Sequence, residues 1–446
     1  MRKLITILIL SIILLYAIYA KDIFIAHVVV LFFICFYDLL KGFYKTGTLR
    51  LLDFKNYFLL YYFYIYGFGY FSYRARESIG INVFDLNEAL ILHALQISII
   101  AVLLLLFAYN VTIKRSIKLP AQRLEAIFLK LAKVRINSWY RIPVAALALF
   151  TYMWYLMGTI PFLTPEFHRT VKKEVGAGLG LIEALCLSLL NATLLFYIWF
   201  FLKKKTVDKT FVIFLSLNLF IFVINDYRGA LMGYLISIAM VYYYLVKPFS
   251  IKHYFAGFVM IALIAAAIGA HRSGTLSGAG SSGMLSMGAE IATETAVEFD
   301  NYVETFEMFK HQDYLHGSTL VPIVTLPIPR AIFPDKNKYL TAGEYFKDYH
   351  NHTYISVGER LSYVGELFMN WGYIGIVCGM LLLGIIIGMV QNRSERISSV
   401  IGFYFSIQFI ISLIGLIPGD IASVAVGFFT SNIVLIMYAI LKRKNI

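Results

Sequence analysis

A chain of 446 residues that is 60% hydrophobic and only 15% charged, with a mean hydropathy of +0.74, lacks the polar surface a soluble domain of this size requires, so the composition points to lipid. The formal charge of +13 would raise nucleic acid in a soluble protein; here the basic residues read as topology signals, and no nucleic-acid partner is implied. Cys35, Cys186 and Cys378 lie inside apolar runs without metal-ligand spacing, which reads as three small core residues rather than a disulfide framework.

Met1-Arg2-Lys3 opens an apolar run to Ala20 with no small-x-small cleavage site, so an uncleaved first span is expected rather than a signal peptide. Every backbone amide in hydrocarbon must be satisfied internally, so long apolar runs mean helices. Spans are expected at about 4–20, 23–40, 55–72, 89–112, 141–159, 179–202, 210–225, 229–246, 253–270, 372–390, 398–416 and 422–441. The fold class is thus an all-α polytopic integral membrane protein with about 12 transmembrane helices. Nine helices fall within 1–270, a large extracytoplasmic loop occupies 271–371, and three helices fall within 372–446.

The connections carry the orientation. Segments 41–53, 113–140, 203–209, 247–252 and 391–397 are basic, as are both termini, and alternating spans place them all on the cytoplasmic side. Segments 73–88, 160–178, 226–228, 271–371 and 417–421 then face outward. Tyr61-Tyr62, Tyr64, Tyr66 and Tyr242-Tyr243-Tyr244 cluster beside apolar runs, as rings with a wet tip do at membrane interfaces.

The long outer segment starts with a Gly/Ser-rich stretch from Ser273 to Gly288, read as a flexible loop. From Ala289 to Gln312, apolar Ile291, Phe299, Val303, Phe306 and Phe309 are interleaved with Glu290, Glu294, Glu298, Glu304 and Glu307. That spacing predicts an amphipathic helix against the membrane domain, with its acids mostly solvated. Leu326 to Lys336 is punctuated by prolines and is expected to be extended and irregular.

Motifs of soluble enzymes are missing: there is no G-x-x-x-x-G-K-[ST] loop, no H-E-x-x-H, no C-x-x-C and no G-x-S-x-G. A nucleotide-driven pump is therefore not expected, and no metal or cofactor is expected. Arg228, in Asn225-Asp226-Tyr227-Arg228-Gly229-Ala230, sits between two apolar runs with almost no loop. Charge at membrane depth is expensive and marks a function by default, and a guanidinium can grip phosphate through two parallel hydrogen bonds. An interfacial Arg paired with Asp226 is the alternative. Arg272 at the outer mouth of another span, and Arg330 between proline and an apolar segment, are further candidate cations, or else a solvated charge and a structural pin. His350 and His352 flank Asn351 and are candidates to handle a proton or orient a sugar hydroxyl, against two exposed loop histidines. Glu366, with Glu359 and Arg360 close before it, either deprotonates an acceptor hydroxyl or fixes the entry of the next helix.

Three stretches in order carry a resemblance: Arg228-Gly229-Ala230 before a span; Pro329-Arg330-Ala331-Ile332-Phe333-Pro334-Asp335-Lys336; and Gly365-Glu366-Leu367-Phe368-Met369-Asn370-Trp371-Gly372-Tyr373-Ile374-Gly375. With the span count and the late outer loop, the chain resembles the oligosaccharide repeat unit polymerases of O-antigen, capsule and enterobacterial common antigen, most strongly over 225–375. The resemblance implies a GT-C-like glycosyltransferase in a bacterial inner membrane, with its site facing outward. It implies transfer of a growing glycan from undecaprenyl diphosphate to a hydroxyl of an incoming lipid-linked unit, without nucleotide sugar or metal. Arg228, Arg272 and Arg330 would hold the diphosphate. His350, His352 or Glu366 would serve the hydroxyl, with Asp226, Glu359 and Arg360 as further substrate contacts. A chain-length regulator and a flippase are the implied protein partners. The alternatives are an O-antigen ligase-like transferase, and a flippase or exporter of lipid-linked oligosaccharide.

Overall fold

The computed structural model describes residues 22–46, 49–78, 84–113, 137–163, 176–204, 206–225, 227–257, 259, 297–326, 328, 332–350, 361–395 and 400–443. Among them the regular structure is entirely helical. In chain order the helices are α1 (Ile23–Thr46), α2 (Phe54–Phe63), α3 (Gly69–Ser78), α4 (Glu88–Thr112), α5 (Asn137–Met157), α6 (Gly176–Ala192), α7 (Leu194–Lys204), α8 (Lys209–Ile224) and α9 (Arg228–Leu245). Then come α10 (Val297–Met308), the single turn α11 (Pro322–Thr325), α12 (Ala342–Tyr349), α13 (Tyr363–Glu395), α14 (Val400–Gly415) and α15 (Ile421–Arg443).

Among the described residues, five helical stretches are long and apolar enough to cross a membrane: Ile23–Lys45, Glu88–Thr112, Leu179–Lys204, Tyr363–Ser394 and Ile421–Tyr438. Lys209–Ile224, Gly229–Leu245 and Val400–Gly415 are shorter apolar helices. The chain is therefore an all-α membrane protein. The expected span at 4–20 lies outside the described residues, as does most of the one at 253–270.

Interior packing explains the register of the bundle. α4 and α13 lie side by side and parallel, in contact along their length. His93 meets Tyr373 near one end, and Asn392 Nδ2 donates to the Thr112 carbonyl near the other, at 3.0 Å. Two glycines permit the approach. A Cβ on Gly384 would lie 2.3 Å from the Leu105 carbonyl oxygen, and one on Gly388 would lie 2.9 Å from Thr112 Cβ. Glycines four apart on one helix face are the usual device for bringing membrane helices together, because apolar surface alone gives no driving force between helices in lipid.

Polar contacts close the bundle at each end. At one end, Leu315 N donates to the Met369 carbonyl, His316 N to that of Asn370, Ser362 N to that of Pro418 and Tyr363 N to that of Ile417. At the other end, Tyr243 Oη donates to Asp53 at 2.7 Å, and Lys55 pairs with Asp38.

α2 and α3 form one continuous helical run through a π-helical turn at Tyr64–Phe68. Such a turn inserts a residue and re-aims the side chains beyond it. It places buried Tyr66 against Tyr302 of α10, with ring centroids 5.0 Å apart. Tyr302 Oη in turn donates to the Ala94 carbonyl of α4 at 3.1 Å. Gly69 completes the seat, since a Cβ there would come 2.7 Å from Phe299 Cβ.

Helix α10 departs from the expected amphipathic helix in two ways. It ends at Met308, short of the expected Gln312, and its polar side is largely enclosed: Glu298, Asp300, Asn301 and Thr305 are all buried, together with Phe299, Tyr302, Val303 and Phe306, while 289–296 lie outside the described residues. The helix is wedged between α3, α4 and α13 instead of resting on a surface, so acids on more than one face are covered. Glu307, paired with Lys310, stays half exposed. The proline-rich stretch also differs where it is described, since Pro334–Lys338 forms a 3₁₀ turn. Proline at the start of a helical turn removes no needed donor, and its fixed φ suits the turn. Cys35 and Cys186 are buried as expected, whereas Cys378 is exposed on α13.

Candidate functional site

The end of the bundle that carries α10 to α12 holds two of the residues the sequence singles out, His350 and Glu366. α12 begins with a capping box: Thr341 Oγ1 accepts from Glu344 N at 3.3 Å, and Thr341 N donates to Glu344 Oε2 at 2.8 Å. The helix buries Phe346 and ends at His350, its C-cap residue. That imidazole is surrounded by rings, with centroids 4.8 Å from Phe346, 5.0 Å from Tyr349 and 5.3 Å from Phe84. Its Nε2 lies 3.8 Å from Oε1 of Glu304 on α10, and the two side chains are 15% and 18% exposed.

Both groups are shifted toward their neutral forms. Burial pushes the Glu304 carboxyl up to about 7, and Glu307 one turn on adds to the shift. Burial also holds the His350 imidazole below its ordinary value. At 3.8 Å the attraction between the charged forms is weaker than the cost of removing them from water. The result is a carboxyl raised toward neutral pH beside an imidazole held below its ordinary value, both mostly buried and walled by aromatic rings. General acid–base catalysis needs groups of this kind.

Glu366 occupies a different setting. It is fully buried near the start of α13, accepting from Thr319 Oγ1 at 2.9 Å and from Ile421 N at 2.6 Å. Asn370, one turn on, extends the network. Its Nδ2 donates to Thr319 Oγ1 at 2.8 Å and to the Glu366 carbonyl at 3.0 Å, and its Oδ1 accepts from Gly317 N at 2.8 Å. Gly372 then breaks the helix with φ +63°, where a Cβ would fall 2.8 Å from the Tyr314 ring. The Gly365-to-Gly372 stretch is thus a joint. It ties the 315–320 loop, the start of α13 and the start of α15 into one hydrogen-bonded unit. Of the two roles open to Glu366 in the sequence, these partners support fixing the helix entry.

Arg228 is the first residue of α9. The turn before it is built rigidly. Asn225 is buried, accepting from Trp154 Nε1 at 2.9 Å and donating to the Ile221 carbonyl at 2.8 Å. Tyr227 Oη donates to Glu183 of α6 at 2.6 Å. The backbone of Arg228 is therefore held at a helix N-terminus, where the macrodipole favours an anion.

No protein-family model matches the chain, and no curated protein and no solved structure is significantly similar to it.

Asp226, Arg272, Arg330, His352, Glu359 and Arg360 lie outside the described residues. His350 and Glu366 both belong to the loop-rich end, one beside α10 and the other beside α15; Arg228 opens α9, which packs on α7, α8 and α14. Among the described residues no three His, Cys, Asp or Glu side chains are grouped as a metal site. Sequence reasoning gave no role to Thr319, the hub between Glu366 and Asn370, and did not distinguish Glu304 from its neighbouring acids. Nothing local marks Thr319. Glu304 carries one signal: it lies on the same helix edge as Asp300 and Glu307, at i−4 and i+3.

Proposed function

We propose that the protein is a membrane glycosyltransferase that polymerises lipid-linked oligosaccharide repeat units on the outer face of a bacterial inner membrane. In this reading a growing glycan on undecaprenyl diphosphate is the donor and a single lipid-linked unit supplies the acceptor hydroxyl. About 12 spans and a GT-C-like arrangement complete the architecture, and a chain-length regulator and a flippase are its pathway partners.

One observation carries the reading beyond the resemblance. The described part of the late polar segment is folded onto the apolar helices and delivers His350 to Glu304 within a ring-lined, mostly buried setting. A carrier of lipid-linked oligosaccharide needs polar groups along a path between spans; a transferase needs a proton acceptor at one end, beside the lipid headgroup. The hydroxyl proton goes to that acceptor, the hydroxyl oxygen bonds to the anomeric carbon, and the bond to the diphosphate oxygen breaks with its electron pair leaving on the diphosphate. Arg228, Arg272 and Arg330 are the cations assigned to that leaving group, where charge builds up in the transition state. Asp226, Glu359, Arg360 and His352 are assigned to the surrounding substrate contacts.

The test is the surface and lipid-linked glycan profile of a deletion strain complemented with wild type or Arg228→Ala. Loss of long chains while single units still appear outside, unrestored by Arg228→Ala, supports the polymerase. Full-length polymer retained on its lipid carrier points instead to a ligase, and single units trapped inside point to a flippase.

A further inference from the structure

Glu304 and His350 are 46 residues apart in sequence, yet their side chains face each other across the gap between α10 and the end of α12. The residues around them have defined tasks. Glu307 is held by Lys310 at 2.6 Å, and Phe84, Phe346 and Tyr349 pack on the imidazole. Neighbouring acids on α10 are committed to the interior, Asp300 to Arg76 at 2.8 Å and Glu298 by burial. Glu304 alone among the described acids of this helix combines partial exposure with an imidazole partner.

We propose that Glu304 is the positioning carboxylate of a Glu304–His350 dyad, in which His350 takes the proton of the acceptor sugar hydroxyl and Glu304 orients and stabilises the imidazolium that forms. This inference rests on the transferase reading and names two groups within it. The chemistry balances without another reactant. The O–H bond of the acceptor breaks as the new C–O bond forms, the proton passes to the imidazole, and it is later released to water. The formed imidazolium, 3.8 Å from a carboxylate in a poorly solvated setting, gains more from that neighbour than it would in bulk water. Burial holds the imidazole below its ordinary value, so that it stands unprotonated and able to accept a proton at ordinary pH, and raises the Glu304 carboxyl to about 7.

The test uses full-length protein in lipid nanodiscs and undecaprenyl-diphosphate-linked units extracted from cells in which the gene is deleted. Glu304→Gln, His350→Gln, the double variant and Glu304→Asp are compared for turnover and KM across pH. Glu304→Gln is expected to lower turnover on the order of 100-fold with little change in KM. Its acid limb is expected at lower pH, because an imidazole without a nearby negative charge holds its proton less tightly. Glu304→Asp keeps the charge, so its limb should stay near that of wild type. The double variant should be no slower than His350→Gln, since groups acting as one unit are not additive. Damage to packing alone would lower turnover without moving the limb. An active wild type with an unmoved limb in Glu304→Gln, or with losses that multiply in the double variant, overturns the dyad and leaves the transferase standing. A wild type that never lengthens the units overturns both.

Discussion

Arg76 and Asp300 are 224 residues apart in sequence and form a buried ion pair: Arg76 Nη2 lies 2.8 Å from Asp300 Oδ1, with side chains 4% and 0% exposed. Arg76 sits near the end of α3, and Asp300 lies in the first turn of α10. The pair pins α10 to α3 beside the Tyr66–Tyr302 contact. Removing one partner strands the other charge, which costs about 3–5 kcal/mol, whereas replacing both by apolar groups of similar volume is often neutral. Arg76→Met alone is therefore expected to lower the melting temperature in detergent by several degrees. The double variant Arg76→Met with Asp300→Leu should recover much of that loss. Equal losses in single and double variants would count against the pair as the cause.

Asp300 also predicts how stability responds to pH. Burial pushes its carboxyl up to about 7 despite Arg76, and the charge of Glu298 adds to the shift. A folded-state value above the unfolded one means that the folded chain binds the proton more tightly. The stabilisation is fully present below about 4 and is lost as pH rises through about 7. The melting temperature should thus fall between pH 5 and pH 8. In Asp300→Asn, which cannot titrate, that fall should be smaller. A slope unchanged by Asp300→Asn would assign it to other groups.

Glu366 gives a prediction that separates position from chemistry. Its carboxylate satisfies Thr319 Oγ1 and Ile421 N inside the protein. Glu366→Ala leaves both donors buried without an acceptor, at about 1–3 kcal/mol for each orphaned group. Glu366→Gln keeps one acceptor oxygen and should be milder. The expected result is a melting temperature in the order wild type, Glu366→Gln, Glu366→Ala, with polymer made by Glu366→Gln at a reduced level. A Glu366→Gln protein that melts as wild type yet makes no polymer would restore the proton-transfer role.

Hydropathy made the long apolar helices legible, because a membrane helix must be apolar along its whole length: Glu88–Thr112 and Arg228–Leu245 lie within one residue of the ends expected for them. The boundary at Gly372 was legible too, since the expected span begins where the helix breaks. Helix α10 was not. Its acids read as a solvated face because sequence periodicity reports which residues share a side, not what covers that side. Arg76, buried near the end of α3, and Gly69, beneath Phe299, provide the cover, and neither is near α10 in sequence. The Glu304–His350 approach was hidden for the same reason, as was Thr319, whose role exists only once Glu366 and Asn370 share a helix face one turn apart.

The parallel contact of α4 and α13 yields the sharpest packing prediction. A side chain at Gly384 would begin 2.3 Å from the Leu105 carbonyl oxygen, a main-chain atom that cannot move without shifting a helix. At Gly388 the nearest atom is Thr112 Cβ at 2.9 Å, so a smaller shift of the neighbouring helix makes room. Gly384→Val should therefore force the helices apart, break the Asn392 bond to the Thr112 carbonyl and tilt the His93–Tyr373 contact at the far end. Its effect should be loss of folded protein in the membrane fraction, while Gly388→Ala accumulates at an intermediate level. Gly427→Ala, on α15 with open space where the Cβ would stand, is the control and should accumulate as wild type. Overpacking of a close-packed interior costs about 1–3 kcal/mol per site, and more where the obstacle is backbone. The predicted order is thus Gly427→Ala, Gly388→Ala, Gly384→Val, read by size-exclusion profile and melting temperature. If Gly384→Val matched the control, the two helices would not be in the contact described, and the joint that α13 carries at Glu366 would need a different support.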